Sequence, residues 1–179
     1  MLIVFSGLPG TGKTTLASAV AAATDVVYLR IDTIEQAIRG SAVLAQGVGR
    51  SGYEVANELA LSNLLLGNRV LVDCVNPVAE SRQAWAQVAA RAGVALVDIY
   101  VVCSDPREHQ RRVETRQGDI PGLVPPTWQS VLEHEHEYEA WGAAPFTLDT
   151  ALLSVTHAVD MIVARTALPR RAGQSRLPG

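Results

Sequence analysis

Short, continuously apolar runs alternate along the chain with segments in which apolar residues recur every three or four positions. The runs are rich in Val, Ile and Leu, which predicts strands that are buried on both faces. They cover residues 2–5, 26–31, 70–74, 95–103 and 145–148. Buried strands that alternate with helices predict an α/β fold of three layers, with a parallel five-stranded sheet between two layers of helices.

The periodic segments predict the helices of the outer layers. In the first of them, Leu16, Ala19, Val20 and Ala23 share one helical face. Asp105 opens another as an N-cap, followed by Pro in the first turn and by Glu three residues on. Further helices are predicted at 34–38, 53–66, 85–92, 128–141 and 152–163, and loops rich in Gly or Pro at 40–52 and 117–126.

The length of 179 residues and the apolar content of 48% suit one domain with a sizeable core. We expect this domain to cover residues 1–166 and residues 167–179 to form a flexible tail. No apolar run reaches the roughly 18 residues of a membrane span. The first strand runs directly into a glycine loop and leaves no room for a secretory signal, so we expect a cytoplasmic protein. Cys74 and Cys103 each end an apolar run and are expected to be small buried hydrophobes.

Residues 7–14 match the phosphate-binding pattern G-x-x-x-x-G-K-[ST]. The segment follows a predicted strand and opens a predicted helix, which is the context that this pattern requires. Its glycines let main-chain N–H groups point at phosphate oxygens, and the helix N-terminus adds partial positive charge. The predicted nucleotide-binding residues are Gly7, Leu8, Pro9, Gly10, Thr11, Gly12, Lys13, Thr14 and Thr15.

Two side chains of this loop have predicted chemical roles. Lys13, the single lysine of the chain, is expected to reach the β- and γ-phosphate oxygens and to act in catalysis. The hydroxyl of Thr14 is expected to coordinate Mg²⁺. The predicted cofactors are therefore Mg²⁺ and a nucleoside triphosphate, either ATP or GTP, because few pocket aromatics can be identified and the base stays open.

Two carboxylates follow strands of the predicted sheet. Ligands of parallel sheets bind beyond the carboxyl ends of the strands, which makes Asp32 and Asp73 candidates for chemistry. Asp32 is the candidate general base that takes the proton of an acceptor hydroxyl, and Asp73 is the candidate Mg²⁺ ligand, acting through water. The alternatives are an N-cap role for Asp32, with Glu35 completing a capping box, and a solvated strand end for Asp73.

Four further residues are candidates for binding the acceptor together with Asp32. They are Arg50, Tyr53, Asn76 and Arg82. Asn76 could instead begin an Asn-Pro turn, and Arg82 could be a solvated helix residue.

Arg112 and Arg116 lie four residues apart and share a helix face directly before the second loop. Residues 112–127 are the predicted lid, which would close over the phosphates, exclude water and bring both arginines to the transferring phosphoryl group in catalysis. The alternative is a solvated face paired with acidic neighbours. Arg107 and Arg111 form a competing pair further from the loop.

Two charged segments argue against other kinds of site and partner. His134 and His136 would lie about 200° apart on a helix, so a solvated acidic face is favoured over a shared metal ion.

The last fifteen residues hold four Arg and no acid, which leaves residues 1–164 with 11 basic and 18 acidic groups and a balance of −7. Such an acidic body argues against long nucleic acid as a partner.

Together, these motifs resemble the P-loop kinases grouped around the kinase domain of polynucleotide kinase, with chloramphenicol phosphotransferase, zeta-type toxins and gluconate kinase as cousins. The resemblance covers about residues 1–150 and is carried by the P-loop and by segments 30–32, 72–76 and 103–116.

The resemblance implies a sheet with the strand order 2-3-1-4-5. It also implies that Asp32 is the general base, that Arg112 and Arg116 grip nucleotide phosphates from the lid, and that the turn at residues 149–150 lies near the nucleobase. The lid sequence at 118–122 and the long loop at 40–53 both depart from the cousins, which leaves the substrate open.

The resulting hypothesis is an NTP-dependent phosphotransferase that moves the γ-phosphoryl group to a hydroxyl of a small molecule, with antibiotic O-phosphorylation as a special case. A polynucleotide 5′-hydroxyl kinase is one alternative. A nucleotide-dependent switch or toxin-like binding module is another. The oligomeric state is left open.

Overall fold

The computed structural model describes residues 1–41 and 47–171 of the chain. Within these residues, five strands form one sheet in which every neighbouring pair is parallel. The predicted parallel sheet and its strand order are confirmed. The strands are β1 Leu2–Ser6, β2 Val27–Arg30, β3 Val70–Asp73, β4 Leu96–Val102 and β5 Phe146–Asp149, in the order β2-β3-β1-β4-β5.

Strand β1 is the centre of the sheet, and all of its residues are buried. Side chains alternate between the two faces of a strand, so Ile3 and Phe5 join one apolar core while Leu2 and Val4 join the other. The main chain of β1 pairs with β3 on one side and with β4 on the other. A strand that is apolar on both faces needs a layer of helices over each of them.

Seven helices are present in the described residues: α1 Lys13–Ala23, α2 Ile31–Gly40, α3 Ser51–Leu65, α4 Ala79–Arg91, α5 Pro106–Thr115, α6 Trp128–Glu137 and α7 Val155–Thr166. Helices α1 and α7 pack on the face of Ile3 and Phe5, and α3 and α4 pack on the face of Leu2 and Val4. The three predicted layers are therefore present. None of the helices in this part of the chain is long and apolar enough to cross a bilayer.

The ends of two helices test the local predictions. The Asp105 cap is confirmed, because its side chain accepts hydrogen bonds from two amides of the first turn of α5. The helix predicted up to residue 141 is wrong, because α6 ends at Glu137. Tyr138 leaves the helix with an extended backbone, φ −76° and ψ 107°, and its hydroxyl donates to the Val75 carbonyl at 3.0 Å.

The chain beyond α7 continues to pack against the body. Leu168 is buried in the same core as α7, and the Arg171 amide donates to the Ala23 carbonyl at 2.9 Å. The packed region therefore extends past the predicted boundary at residue 166. The rest of the predicted tail, 172–179, and residues 42–46 of the predicted loop lie outside the described residues.

Both cysteines are free thiols. Cys74 follows β3 and is buried as expected, and this burial raises the pKa of its thiol. Cys103 follows β4 and is only partly buried, so the expectation of a buried residue holds for Cys74 alone.

Candidate functional site

The loop between β1 and α1 curls tightly because three glycines adopt left-handed backbone angles. The angle φ is 140° at Gly7, 84° at Gly10 and 91° at Gly12. A β-carbon at Gly7 would lie 2.2 Å from the Val101 carbonyl oxygen, and one at Gly10 would lie 2.4 Å from the Val113 side chain. Only glycine fits such positions, and its use here keeps the main chain accessible to a ligand.

Gly7→Ala is therefore expected to lower the free energy of unfolding by roughly 2–4 kcal/mol, through backbone strain and overpacking against β4. The matched control is Gly67→Ala, since Gly67 also has a positive φ of 87° but a β-carbon there meets nothing within 4 Å. The control should lose only about 1–2 kcal/mol. Urea unfolding measures both losses, and equal values would contradict the close approach at Gly7.

Lys13 begins α1, and its ammonium group is held at the loop. The residue is 7% exposed, and Nζ donates to the Leu8 carbonyl at 2.8 Å. The Thr11 hydroxyl donates to the same carbonyl at 2.9 Å, which fixes the curl of the loop. Burial lowers the pKa of Lys13, while the charges of Asp73 and Asp32 act in the opposite direction. A desolvated cation beside a helix N-terminus fits the oxygens of a phosphate group.

Asp73 ends β3 and is oriented by residues of β2. It is 3% exposed and accepts a hydrogen bond from the Tyr28 hydroxyl at 3.0 Å. Arg30 is its neighbour across the strands, with Nε 3.9 Å from Oδ2. The alternative of a solvated strand end is therefore wrong. A buried carboxylate held in one orientation suits a metal ligand or the partner of a metal-bound water.

The protein side chains of the cavity could supply only part of the coordination shell of Mg²⁺, and bound phosphates would have to supply the rest. The described part of the chain has no group of three or more His, Cys, Asp or Glu side chains that could hold a metal ion by themselves. Thr14 and Asp73 line the same cavity. Mg²⁺ in phosphoryl-transfer sites commonly takes one or two protein groups and completes its shell with phosphate and water. His134 and His136 are both exposed on α6.

Asp32 lies in the first turn of α2, with a side chain that is 40% exposed. The N-cap alternative is wrong, because Arg30 occupies the cap position and no side chain caps this helix among the described residues. Glu35 pairs with Arg39 at 3.0 Å instead of completing a capping box. Asp32 is 3.7 Å from Arg30 Nη2, which is too long for a hydrogen bond. Its carboxylate is thus accessible from the cavity.

Arg112 connects α5 with the phosphate loop through Thr150. Its Nη1 donates to the Thr150 hydroxyl at 2.7 Å, and Nη2 donates to the Thr150 carbonyl at 3.1 Å. The Thr150 hydroxyl in turn lies 2.8 Å from the Thr11 carbonyl and donates to it. Arg112 Nε also donates to Glu108 at 2.7 Å. Arg112 therefore has an acidic partner on its own helix, as the alternative to the lid role expected.

Two more arginines of this segment reach the cavity wall. Arg116 directly follows α5, has a side chain that is 26% exposed, and lies 3.6 Å from Asp119. Arg111 is more exposed and pairs with Glu108 at 2.7 Å. Arg112 and Arg116, the predicted lid pair, and Arg111 of the competing pair therefore lie at the same wall of the cavity.

Arg30 was not among the predicted site residues, yet it joins the predicted lid segment to the sheet. Its guanidinium group contacts Asp119 twice, with Nη1 2.5 Å from Oδ2 and Nη2 3.1 Å from Oδ1. These contacts lower the pKa of Asp119 to about 2. The one signal in the sequence is the position of Arg30 two residues before Asp32, since its partner is 89 residues away.

His109 was also missed, and it supports the phosphate loop from α5. Its Nε2 donates to the Pro9 carbonyl at 2.8 Å, and its ring meets Trp128 edge to face with the ring centres 5.1 Å apart. The residue is 7% exposed. Its partner in the loop lies 100 residues away in the chain, so no local pattern indicated the contact.

The loop, the strand-end carboxylates and the lid surround one cavity of about 520 Å³. Ten of the predicted site residues line it: Pro9, Gly10, Gly12, Lys13, Thr14, Thr15, Asp32, Asp73, Arg112 and Arg116. The cavity therefore combines phosphate-binding main chain, one buried ammonium, two carboxylates and several guanidinium groups.

The predicted acceptor residues other than Asp32 do not line this cavity in the described structure. Arg50 is exposed and pairs with glutamates of α3 and α4. Tyr53 accepts a hydrogen bond from the Asn76 amide at 3.0 Å, and the buried Asn76 side chain donates to the Ser6 hydroxyl at 2.9 Å. These contacts bind α3 and the turn after β3 to the sheet, which is a structural role.

Arg82 lies in a cage of carbonyl groups and aromatic rings. Its guanidinium carbon is 4.3 Å from the ring centre of Trp141 and 5.1 Å from that of Tyr138. It donates, at distances between 2.7 and 3.2 Å, to the carbonyls of Asn76, Pro77, Glu139 and Ala140. These contacts fasten the segment after α6 to the turn before α4.

Arg82→Ala is accordingly expected to lower the free energy of unfolding by about 2–3 kcal/mol, because charge-assisted hydrogen bonds and the stacking are lost. Thermal or urea unfolding measures the loss. A variant of unchanged stability that binds its acceptor more weakly would instead assign Arg82 to the acceptor.

A parallel sheet in the order β2-β3-β1-β4-β5, with a glycine loop between β1 and α1, defines the fold of the P-loop kinases. The chain belongs to the AAA domain family, whose family model matches residues 2–129. No curated protein sequence matches the chain.

Solved structures of two kinases and of a resistance protein share this fold. A sugar kinase from a Janibacter species is 16% identical with a TM-score of 0.67, covering 93% of this chain and 94% of that one. A gluconokinase from Sinorhizobium meliloti is 19% identical with a TM-score of 0.64, covering 92% and 90%. The tunicamycin resistance protein of Deinococcus radiodurans is 16% identical with a TM-score of 0.63, covering 94% and 96%. The predicted resemblance to P-loop kinases is confirmed at the level of the fold.

Proposed function

We propose that the protein is a phosphotransferase that moves the γ-phosphoryl group of ATP or GTP to a hydroxyl group of a small molecule. One observation carries the proposal. Lys13 with its loop, the accessible carboxylate of Asp32 and the arginines Arg112 and Arg116 all line a single cavity. Phosphoryl transfer needs these groups together, because its catalysis consists of positioning and charge stabilisation.

In the proposed nucleotide complex, the loop at residues 7–15 surrounds the phosphates and Lys13 donates to the β- and γ-phosphate oxygens. The first-turn amides of α1 have no intrahelical partner and face the same ligand. Thr14 and Asp73 would hold Mg²⁺, which neutralises part of the phosphate charge when it is bound. Tyr28 keeps the Asp73 carboxylate oriented for this role.

In the proposed transfer step, Asp32 takes the proton of the acceptor hydroxyl as its oxygen forms a bond to the γ-phosphorus. The bond between the γ-phosphorus and the oxygen that bridges to the β-phosphate breaks, and a nucleoside diphosphate leaves. Arg112 and Arg116 donate to the oxygens on which negative charge develops. The lid excludes water, so that the acceptor hydroxyl is the nucleophile.

The volume of the cavity supports a small acceptor. About 520 Å³ lies within the size range of pockets for small molecules and must hold both the phosphates and the acceptor. Antibiotic O-phosphorylation remains the special case of this proposal, and the shared fold of a tunicamycin resistance protein supports a test of hydroxylated antibiotics.

Transfer of radiolabel from the γ-position of ATP and of GTP tests the proposal. The acceptors are a panel of sugars, sugar acids, nucleosides and hydroxylated antibiotics, with a 5′-hydroxyl oligonucleotide as a separate arm. We expect label on a small molecule with the wild-type protein and none with Lys13→Ala. Label on the oligonucleotide alone, or release of inorganic phosphate alone in the presence of every acceptor, would contradict it.

A further inference from the structure

The contact between Arg30 and Asp119 has the form of a ligand bound to its receptor. Two guanidinium nitrogens face two carboxylate oxygens at 2.5 and 3.1 Å, which is the parallel, two-point arrangement by which arginine recognises carboxylate and phosphate groups. The carboxylate comes from the chain itself, from the lid between α5 and α6.

The Arg30 half of the contact is rigid and built into the sheet. Arg30 is the last residue of β2, in register with Asp73 of β3. Its side chain is only 9% exposed, and its Nε is buried without a hydrogen-bond partner among the described residues. A guanidinium group that is already ordered and desolvated loses little entropy when it binds an anion. Arg30 is therefore preorganised for an oxyanion.

The Asp119 half of the contact is replaceable. Asp119 lies outside the regular elements, and its side chain is 51% exposed. It also lies 3.6 Å from Arg116, so departure of this one carboxylate frees two arginines. Arg30 has two other acidic neighbours, Asp32 at 3.7 Å and Asp73 at 3.9 Å. An incoming anion that replaces Asp119 leaves this balance of charge unchanged.

We propose, on the basis of the proposed function, that Arg30 binds an oxyanion group of the acceptor and that Asp119 occupies this position when no acceptor is bound. The acceptor class is then a hydroxyl compound that carries a carboxylate or a phosphate. Because Asp32 lies 3.7 Å from the same guanidinium group, an anion on Arg30 directs the rest of the acceptor towards the general base. Release of Asp119 leaves Arg116 available to the phosphates.

Pairs of acceptors that differ only in an acidic group test the inference. For each pair, KM and kcat are measured separately, and the inference concerns KM. Gluconate is compared with glucitol, glycerate with glycerol, and glycerol 3-phosphate supplies the phosphate arm. In Asp119→Asn, the KM of the acidic acceptors should fall about tenfold because the competing carboxylate is gone. In Arg30→Lys, it should rise about tenfold because the two-point contact is lost. The KM of the neutral partner should stay within about twofold in both variants.

The matched control is Glu58→Gln, which removes an exposed ion pair with Arg91 on the surface of α3 and α4. It should leave the KM of every acceptor unchanged. If neutral acceptors are phosphorylated as well as acidic ones and Arg30→Lys affects both alike, the inference fails while the proposed function stands.

A binding measurement makes the test independent of turnover. With Mg²⁺ and AMPPNP saturating the phosphate loop, gluconate, glycerate and inorganic phosphate are titrated calorimetrically into the wild type, Asp119→Asn and the double variant Arg30→Gln/Asp119→Asn. At least one anion should bind Asp119→Asn about tenfold more tightly than the wild type, and the double variant should lose this gain. The anion that binds identifies the source as carboxylate or phosphate. No difference between the three proteins would overturn the inference.

Discussion

Lys13→Ala is expected to abolish nucleotide-dependent activity, with phosphoryl transfer falling by a factor on the order of 10³ or more. Lys13 is the single lysine of the chain and is buried at the loop, with its Nζ 2.8 Å from the Leu8 carbonyl. No other lysine can take over its place, and a desolvated ammonium group interacts with phosphate oxygens more strongly than an exposed one. The affinity for Mg·AMPPNP should fall with the activity.

The control for this variant is Arg69→Ala, which removes a cation from an exposed position before β3. Calorimetry measures nucleotide affinity, and radiolabel transfer measures activity. We expect Arg69→Ala to behave as the wild type in both. A Lys13→Ala protein that is folded and binds AMPPNP with unchanged affinity would contradict the assignment of the loop at residues 7–14 as the nucleotide-binding site.

Asp32→Asn is expected to lower kcat by a factor of roughly 10² to 10⁴, the usual contribution of a general base. The affinity for the nucleotide should change little, because Asp32 is assigned to the acceptor hydroxyl and not to the phosphates. The asparagine side chain keeps the size of the carboxylate but cannot take the proton. Single-turnover transfer, combined with nucleotide titration, separates these two effects.

Glu35→Gln is the matched control, since it changes a carboxylate on the same helix one turn further on. Glu35 pairs with Arg39, and burial raises the pKa of its carboxyl group. It does not line the cavity in the described structure, so kcat should be unaffected. An equal loss of kcat in the two variants, or full activity of Asp32→Asn, would contradict the assignment of the base.

The parts of the site that follow from local pattern were predictable. The phosphate loop is contiguous, so that its spacing alone identified Gly7 and Gly12, and both have the positive φ of a tight curl. Asp32 and Asp73 could be brought together because the carboxyl ends of parallel strands meet at one edge of a sheet. The lateral order of the strands was implied by the family resemblance, since apolar runs identify strands but not their neighbours.

The parts that depend on distant partners were not predictable. Arg82 follows a strand end in the sequence, which suggested the acceptor, but its side chain turns to carbonyls 57 and 58 residues away. Arg30 appeared to be an ordinary strand residue until the lid supplied Asp119. The direction of a side chain depends on packing between elements, and one sequence carries little information about such contacts.

The most direct test of the central claim is a crystal structure of the protein grown with Mg²⁺ and AMPPNP. We predict electron density for the three phosphate groups inside the loop at residues 7–14, with Lys13 Nζ moved from the Leu8 carbonyl to phosphate oxygens and Mg²⁺ next to Thr14. A nucleotide bound elsewhere on the molecule, with the loop unchanged and Lys13 still on the Leu8 carbonyl, would contradict the account.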